Sequence, residues 1–183
     1  GAIGKENCIN LIIKAIGEIG LDYHYQINEP EKNNQKDIFI SQICLAKKLN
    51  LPIVIHSRDA DKDTFDILCQ YAQDMKVYLH CYSGSYEMAK EYIKKIPNIH
   101  FGVGGIVTFK NAKKLVEVVE KIDLKYFLTE TDAPYLTPVP FRGKQNEPSY
   151  LIYVINKISE LKNMNEVKVE EILFENAREF FDL

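Results

Sequence analysis

Five short apolar runs, separated by segments of helical spacing, constrain the fold of this 183-residue chain more than any other feature. Ile12 to Ile16, Ile53 to Ile55, Val77 to Leu79, Ile99 to Val103 and Tyr126 to Leu128 read as strands. Between them, apolar residues recur three and four apart. One helical face carries Ile38, Phe39, Ile43, Ala46 and Leu49, and the next carries Phe65, Leu68 and Ala72. Two more carry Tyr86, Ala89, Tyr92 and Ile93, then Ala112, Leu115, Val116 and Val119. A polar loop is expected from Tyr25 to Asn34, and Asp59-Ala60-Asp61 supplies acidic, cap-capable residues before the second helix. After the last strand, Pro148 opens a helix with Leu151, Val154, Ile155, Ile158 and Leu161 inward, and a final helix covers Val167 to Phe181. Strands joined by helices of this length form right-handed βαβ units and a parallel sheet. No linker, low-complexity stretch or internal repeat divides the chain, so one domain over residues 1–183 is expected.

Four of these segments end in a metal-capable side chain. Ala15-Ile16-Gly17 leads to Glu18, Ile53-Val54-Ile55 to His56, Val77-Tyr78-Leu79 to His80, and Leu128-Thr129-Glu130-Thr131 to Asp132. In an α/β barrel, the C-terminal strand ends form the catalytic rim. A single strand-end histidine is more often a hydrogen-bonded structural residue; four such ends in one chain point to a metal-dependent hydrolase. Phosphodiester cleavage needs an activated water and neutralisation of charge on the phosphoryl oxygens, and divalent metals supply both.

Other residues fall around that set. Ser57 and Arg58 follow His56 directly and are the first candidates for phosphate contact, since guanidinium pairs bidentately with phosphate oxygens. Arg142 and Lys144 lie in the loop after Asp132, Lys110 follows Gly104-Gly105, and His24 lies just beyond Glu18; each is a candidate substrate contact or a solvated charge. Tyr82 and Tyr135 are candidates for stacking on bases, or simply pack. Glu130, two residues before Asp132, faces the same side of an extended strand. It reads either as an acceptor that buttresses a ligand or as an interior carboxylate satisfied by neighbours. Asp22 is expected to shape the loop after Glu18, with direct metal contact as the lesser alternative. His100 opens a strand, where barrel residues serve stability. Cys81 is expected to alternate away from His80 and to pack.

A net charge of −3 argues against a protein that coats nucleic acid with a broad basic surface, yet leaves a nuclease open, because metals bring their own charge. The four cysteines show no CxxC spacing and read as reduced thiols, a pattern that favours the cytoplasm while leaving localisation itself unknown. No apolar run approaches the ~20 residues of a membrane span, so no membrane partner is expected.

These segments resemble the TatD family. The resemblance rests on Ala15 to Tyr23, Leu51 to Ala60, His80-Cys81-Tyr82-Ser83-Gly84-Ser85, Thr108 to Ala112 and Thr129 to Pro148, in that order along nearly the whole chain. It implies an α/β fold, a TIM-like (β/α)8 barrel of the metal-dependent hydrolase type. Such a barrel takes about 250 residues, so about five of eight β/α units are expected here, with the first three strands and their His-x-His pair absent. The resemblance further implies that Glu18 bridges two divalent metal ions (Zn, Mn or Mg), that His56 and His80 complete one site, and that Asp132 binds the other. Asp132 and Glu18 would be catalytic, Asp132 as ligand or as the group that orients the attacking water, and the second metal site would be incomplete. DNA is the implied substrate, cleaved as a 3'-5' exonuclease acts on single strands. The alternatives are an amidohydrolase-type enzyme on a small ester or amide, or an inactive fragment. Exposed barrel edges would then be covered by self-association or by a separate N-terminal segment.

Overall fold

A computed structural model describes residues 13–25 and 27–183. The expected strand position Ile12 lies outside them. Five parallel strands form one sheet in the order β1-β2-β3-β4-β5: β1 Ile16–Asp22, β2 Ile53–Arg58, β3 Val77–Leu79, β4 Ile99–Val103 and β5 Phe127–Thr129. Each is followed by helix: α1 Glu29–Leu49, α2 Asp61–Tyr71, α3 Tyr86–Lys95, α4 Lys113–Lys121, then α5 Leu151–Lys162 and α6 Glu166–Phe181. This strand-by-strand order is that of consecutive β/α units of a TIM-like barrel. Among the described residues, β1 and β5 are the two edges of the sheet.

The first strand corrects the sequence reading: it begins at Ile16 and runs through Glu18 to Asp22, instead of ending at Ile16. Ile16 stands beside Ile53 and Ile19 beside Ile55, so Gly17 and Glu18 together oppose Val54. That extra residue is a β-bulge. Strict alternation would put Ile16 and Ile19 on opposite faces; the bulge lets both pack toward the helices. Gly20 then crosses so close to β2, with φ +146, that a Cβ there would overlap the His56 carbonyl.

Helix α1 starts at Glu29, so the expected polar loop to Asn34 is shorter than the sequence reading made it. Asn28 accepts from the Glu31 N–H while the Glu31 carboxylate accepts from the Asn28 N–H, a reciprocal capping box, with Pro30 in the first turn. Its buried face is Phe39, Ile43 and Ala46; Ile38, expected on that face, is half exposed. At α2, Ala60 is the cap and makes no side-chain cap bond, while Asp59 turns away with φ +54.

The sheet has two unlike faces. Ile53, Ile55, Val77, Leu79, Ile99, Phe101, Val103 and Phe127 pack against the helices in one continuous core. The inner face starts with an apolar layer of Val54, Tyr78 and Leu128, against which α6 lays Ala177, Phe180 and Phe181. His100 joins this layer, its ring 5.2 Å from that of Phe180. Burial holds its pKa below the ordinary histidine value. The last helix thus floors the concave side of the sheet, and the functional side chains stand one layer above it.

Candidate metal centre

Alternation along β2 sets His56 and Arg58 on the concave face, one above the other. On β1, Gly20 pairs with His56 and Asp22 with Arg58, so Glu18, Gly20 and Asp22 share that face. His80 follows β3 at the same height, its backbone N–H donating to the Ile55 carbonyl at 3.0 Å. Asp132 follows β5 in a left-handed turn, φ +55.

Glu18 reaches both histidines, one with each carboxylate oxygen. Oε2 lies 3.8 Å from His56 Nδ1 and Oε1 lies 3.7 Å from His80 Nε2. Asp132 Oδ1 approaches the same His80 nitrogen at 3.4 Å. All three separations exceed an ordinary N–H···O bond of about 2.7–3.2 Å. Taken pair by pair, they come near the ~3.4 Å that separates two donors on one tetrahedral ion, but no three of these side chains bring ligand atoms within 4.8 Å of one another. The donor set, two imidazoles and two carboxylates, suits a borderline divalent ion.

The opposite ring nitrogens are both taken by carboxylates. His56 Nε2 is 3.0 Å from Asp22 Oδ2, and His80 Nδ1 is 2.8 Å from Glu130 Oε2. A carboxylate behind each imidazole orients the ring and leaves the other nitrogen free to bind. Asp22, expected to shape its loop or to touch a metal, stands behind His56 instead, and the His24 N–H and His56 hold its carboxyl below the usual range despite partial burial.

Glu130 is the most heavily bonded side chain of the site. It accepts from the Tyr78 hydroxyl, from His80 and, at 2.7 Å, from the Cys81 N–H. Both descriptions open at the sequence level apply to it, satisfied by neighbours and placed behind a histidine. Burial disfavours its charge, but the His80 hydrogen bond and charge outweigh that and keep it ionised. For His80, burial opposes the charged form too. The Glu130 bond and the charges of Glu130, Glu18 and Asp132 win and hold it at about 9.

Cys81 departs from its expected alternation. With φ +45 it leaves the strand geometry, and its sulfur joins His80 and Glu130 in a group whose ligand atoms lie within 4.8 Å of one another. Among the described residues this is the one such triple. It is a hydrogen-bonded cluster more than a cation site, because Glu130 is already saturated with donors. Burial and the Glu130 charge push the thiol far above its ordinary pKa, which leaves it a poor ligand.

The proposed substrate contacts are scattered in fate. Arg58 is exposed on the rim, 6.0 Å from the ring of Tyr25. Ser57 is not brought to the rim: it faces the helices, its hydroxyl 2.9 Å from that of the buried Thr64 in α2. Strand alternation forces this, since His56 and Arg58 occupy the other face. His24 stays at the rim but is held by Asp59, Nδ1 to Oδ2 at 2.9 Å. Arg142 lies exposed over the Phe109 ring at 3.9 Å, Lys144 over Phe141 at 5.2 Å, and Lys110 is exposed. Tyr82, a candidate for stacking, is buried with its hydroxyl donating to the Ser85 carbonyl, whereas Tyr135 is 70% exposed.

Three residues of the site escaped the sequence reading. Tyr78 precedes His80 by two and shares its face, a signal that was there. Gly102 sits in β4 between Glu130 and the end of β3; a Cβ there would overlap the Glu130 carboxylate and come 2.9 Å from the Cys81 nitrogen. A strand glycine marks such an approach, but not what approaches. Asn146 has no sequence signal; it is buried and donates to the carbonyls of Thr131 and Tyr135, both at 2.7 Å. A broad surface concavity lies at the other end of the sheet, lined by Lys14, Lys47 and Lys76 among others, each tied to a nearby oxygen.

A curled parallel sheet that gathers imidazoles and carboxylates at the C-terminal ends of its strands is the framework of the barrel-type metal-dependent hydrolases. The family model described as "TatD related DNase" matches residues 9–182. The chain belongs to this TatD family of metal-dependent hydrolases. It is 49% identical over 97% of its length to an uncharacterized metal-dependent hydrolase, YabD, of Bacillus subtilis, covering 68% of that protein. The structure of the TatD homologue YjjV from Escherichia coli aligns with a TM-score of 0.83 at 30% identity, over 92% of this chain and 64% of that one. An uncharacterized amidohydrolase from Saccharomyces cerevisiae shares the fold, with a TM-score of 0.78 at 22% identity over 91% of this chain and 64% of that one. The chain thus spans about two thirds of the length of these relatives.

Proposed function

We propose that the protein hydrolyses phosphodiester bonds in DNA, acting as an exonuclease on single strands with 3'-5' polarity. The observation that carries this reading is the arrangement on β2. Arg58 stands on the same face as His56, one alternation further toward the rim, beside the pairwise approaches of Glu18 to His56 and His80 and of Asp132 to His80. Two divalent ions, held by Glu18, His56, His80 and Asp132, would supply a polarised phosphoryl oxygen and a deprotonated water.

Everything else falls to the side chains. Arg58 pairs with a non-bridging phosphate oxygen and fixes the linkage over the site. Asp22 and Glu130 lock the two imidazoles so that each presents one nitrogen. Asp132, partly exposed and 3.4 Å from His80 Nε2, would take the proton of the attacking water. An anionic polymer is favoured over a small neutral ester because Arg58, Arg142, Lys144 and Lys110 are all exposed in rim segments.

Manganese-supported turnover of a single-stranded oligonucleotide tests the reading, with Asp132→Asn and His56→Ala beside the wild type. Both variants should lose at least about a hundredfold in rate while keeping a cooperative melting transition in chelator. Near-normal rates in either would sink the ligand assignment. Faster turnover of small neutral esters than of DNA would sink the substrate assignment.

A further inference from the structure

Among the described residues, three aromatic side chains are strongly exposed: Tyr25 at 77%, Tyr135 at 70% and Phe174 at 61%. Phe174 lies on the last helix, away from the rim, whereas both tyrosines belong to rim loops. Tyr25 is covered in part, by the His24 ring at 5.2 Å and the Arg58 guanidinium at 6.0 Å. The ring of Tyr135 enters no aromatic or cation–π pair among the described residues.

The backbone beneath that ring is tightly fixed. The Tyr135 N–H donates to the Asp132 carbonyl at 2.9 Å, closing a turn that begins at the candidate ligand. Asn146, 3% exposed, spends its whole amide on this loop and its return: Nδ2 donates to the Thr131 and Tyr135 carbonyls, Oδ1 accepts from the Glu147 N–H, and the Asn146 N–H donates to Pro134. The loop between them is further pinned by Thr108, whose hydroxyl accepts from the Val139 N–H at 2.9 Å. A buried asparagine is costly unless every polar atom is paired, and here the pairing holds one turn rigid. The turn lifts an apolar ring into water three residues from Asp132. A fixed backbone under a free ring is how an aromatic platform binds at low entropic cost.

We propose that Tyr135 is the stacking platform for the nucleobase beside the linkage being cut. This rests on the nuclease reading above and deepens it. The ligand class is a nucleobase at or next to a strand end, recognised by its π-face without regard to sequence. Asn146 acts through Tyr135 as a positioning residue.

The test is fluorescence anisotropy of labelled single-stranded oligonucleotides with phosphorothioate terminal linkages, in manganese. Each is paired with a matched strand whose terminal residues, at one end or the other, are abasic. Tyr135→Ala should raise Kd about tenfold for the base-bearing strand and leave the abasic strand unchanged, so that the wild-type preference for the base disappears. Tyr135→Phe and Tyr135→Trp should retain that preference. If Tyr135→Ala weakens both strands equally, or weakens neither, stacking is overturned while the nuclease reading survives. The same holds if Phe and Trp fail alongside Ala. A wild-type chain that binds neither strand overturns the nucleic-acid reading, and the stacking proposal with it.

Discussion

Glu130 leaves β5, crosses above β4 and reaches the end of β3, and the missing side chain of Gly102 is what lets it through. The consequence is specific. Gly102→Ala should push the carboxylate off His80 and leave the imidazole unoriented, lowering metal affinity by about 10- to 100-fold. Overpacking should cost about 1–3 kcal/mol of stability as well. Calorimetric titration with zinc or manganese, beside a thermal melt, reads both; unchanged affinity would show that Glu130 does not orient His80. At this scale the candidate donors were legible, because four of the five apolar runs lead to a side chain that can bind a cation. Ser57 was misplaced although the rule that places it, alternation along β2, could be applied to the sequence. The role of Gly102 was hidden because it depends on Glu130, 28 residues further along the chain.

Helix α6 is more than an outer cover. Its last turn brings Phe180 into contact with Tyr78 and Leu128 on the concave face, so the helix that closes the chain also floors the site. Phe180→Ala should therefore cost about 3–5 kcal/mol, the usual range for a fully buried phenylalanine. It should also loosen Tyr78, whose hydroxyl bonds Glu130. Urea unfolding followed by circular dichroism measures the first effect; a loss below about 1 kcal/mol would mean the floor is not packed as described. The sequence reading places a final helix over Val167 to Phe181, yet the extent of a helix says nothing of what its buried face meets. The start of α1 was different: Asn28, Pro30 and Glu31 spell a capping box that could be read directly. The bulge in β1 was not readable, because it reconciles Ile16 and Ile19 only once β2 is alongside.

Over the whole molecule, the site couples stability to pH. Freed of cations by chelator, the folded chain holds His80 at about 9 against an ordinary 6.5, through Glu130, Glu18 and Asp132. A raised folded value means stability that is complete below about pH 6.5 and lost as pH climbs through about 9. Cation binding needs that nitrogen unprotonated, so metal affinity should rise over the same window. Melting temperatures across it, in chelator and in excess manganese, should fall in the first series and separate progressively from the second. A flat chelator series would rule out the His80–Glu130 ion pair. What the sequence determined by itself was the class of architecture and the candidate donor types. Strand and helix periodicities are local, and strand ends carry their side chains to one rim whatever the packing. Only the tertiary structure decided which carboxylate stands behind which histidine, and that Tyr135 stands exposed over a turn clamped by Asn146. Each of those depends on chain segments far apart in sequence meeting at hydrogen-bond range, and no local pattern encodes such a meeting.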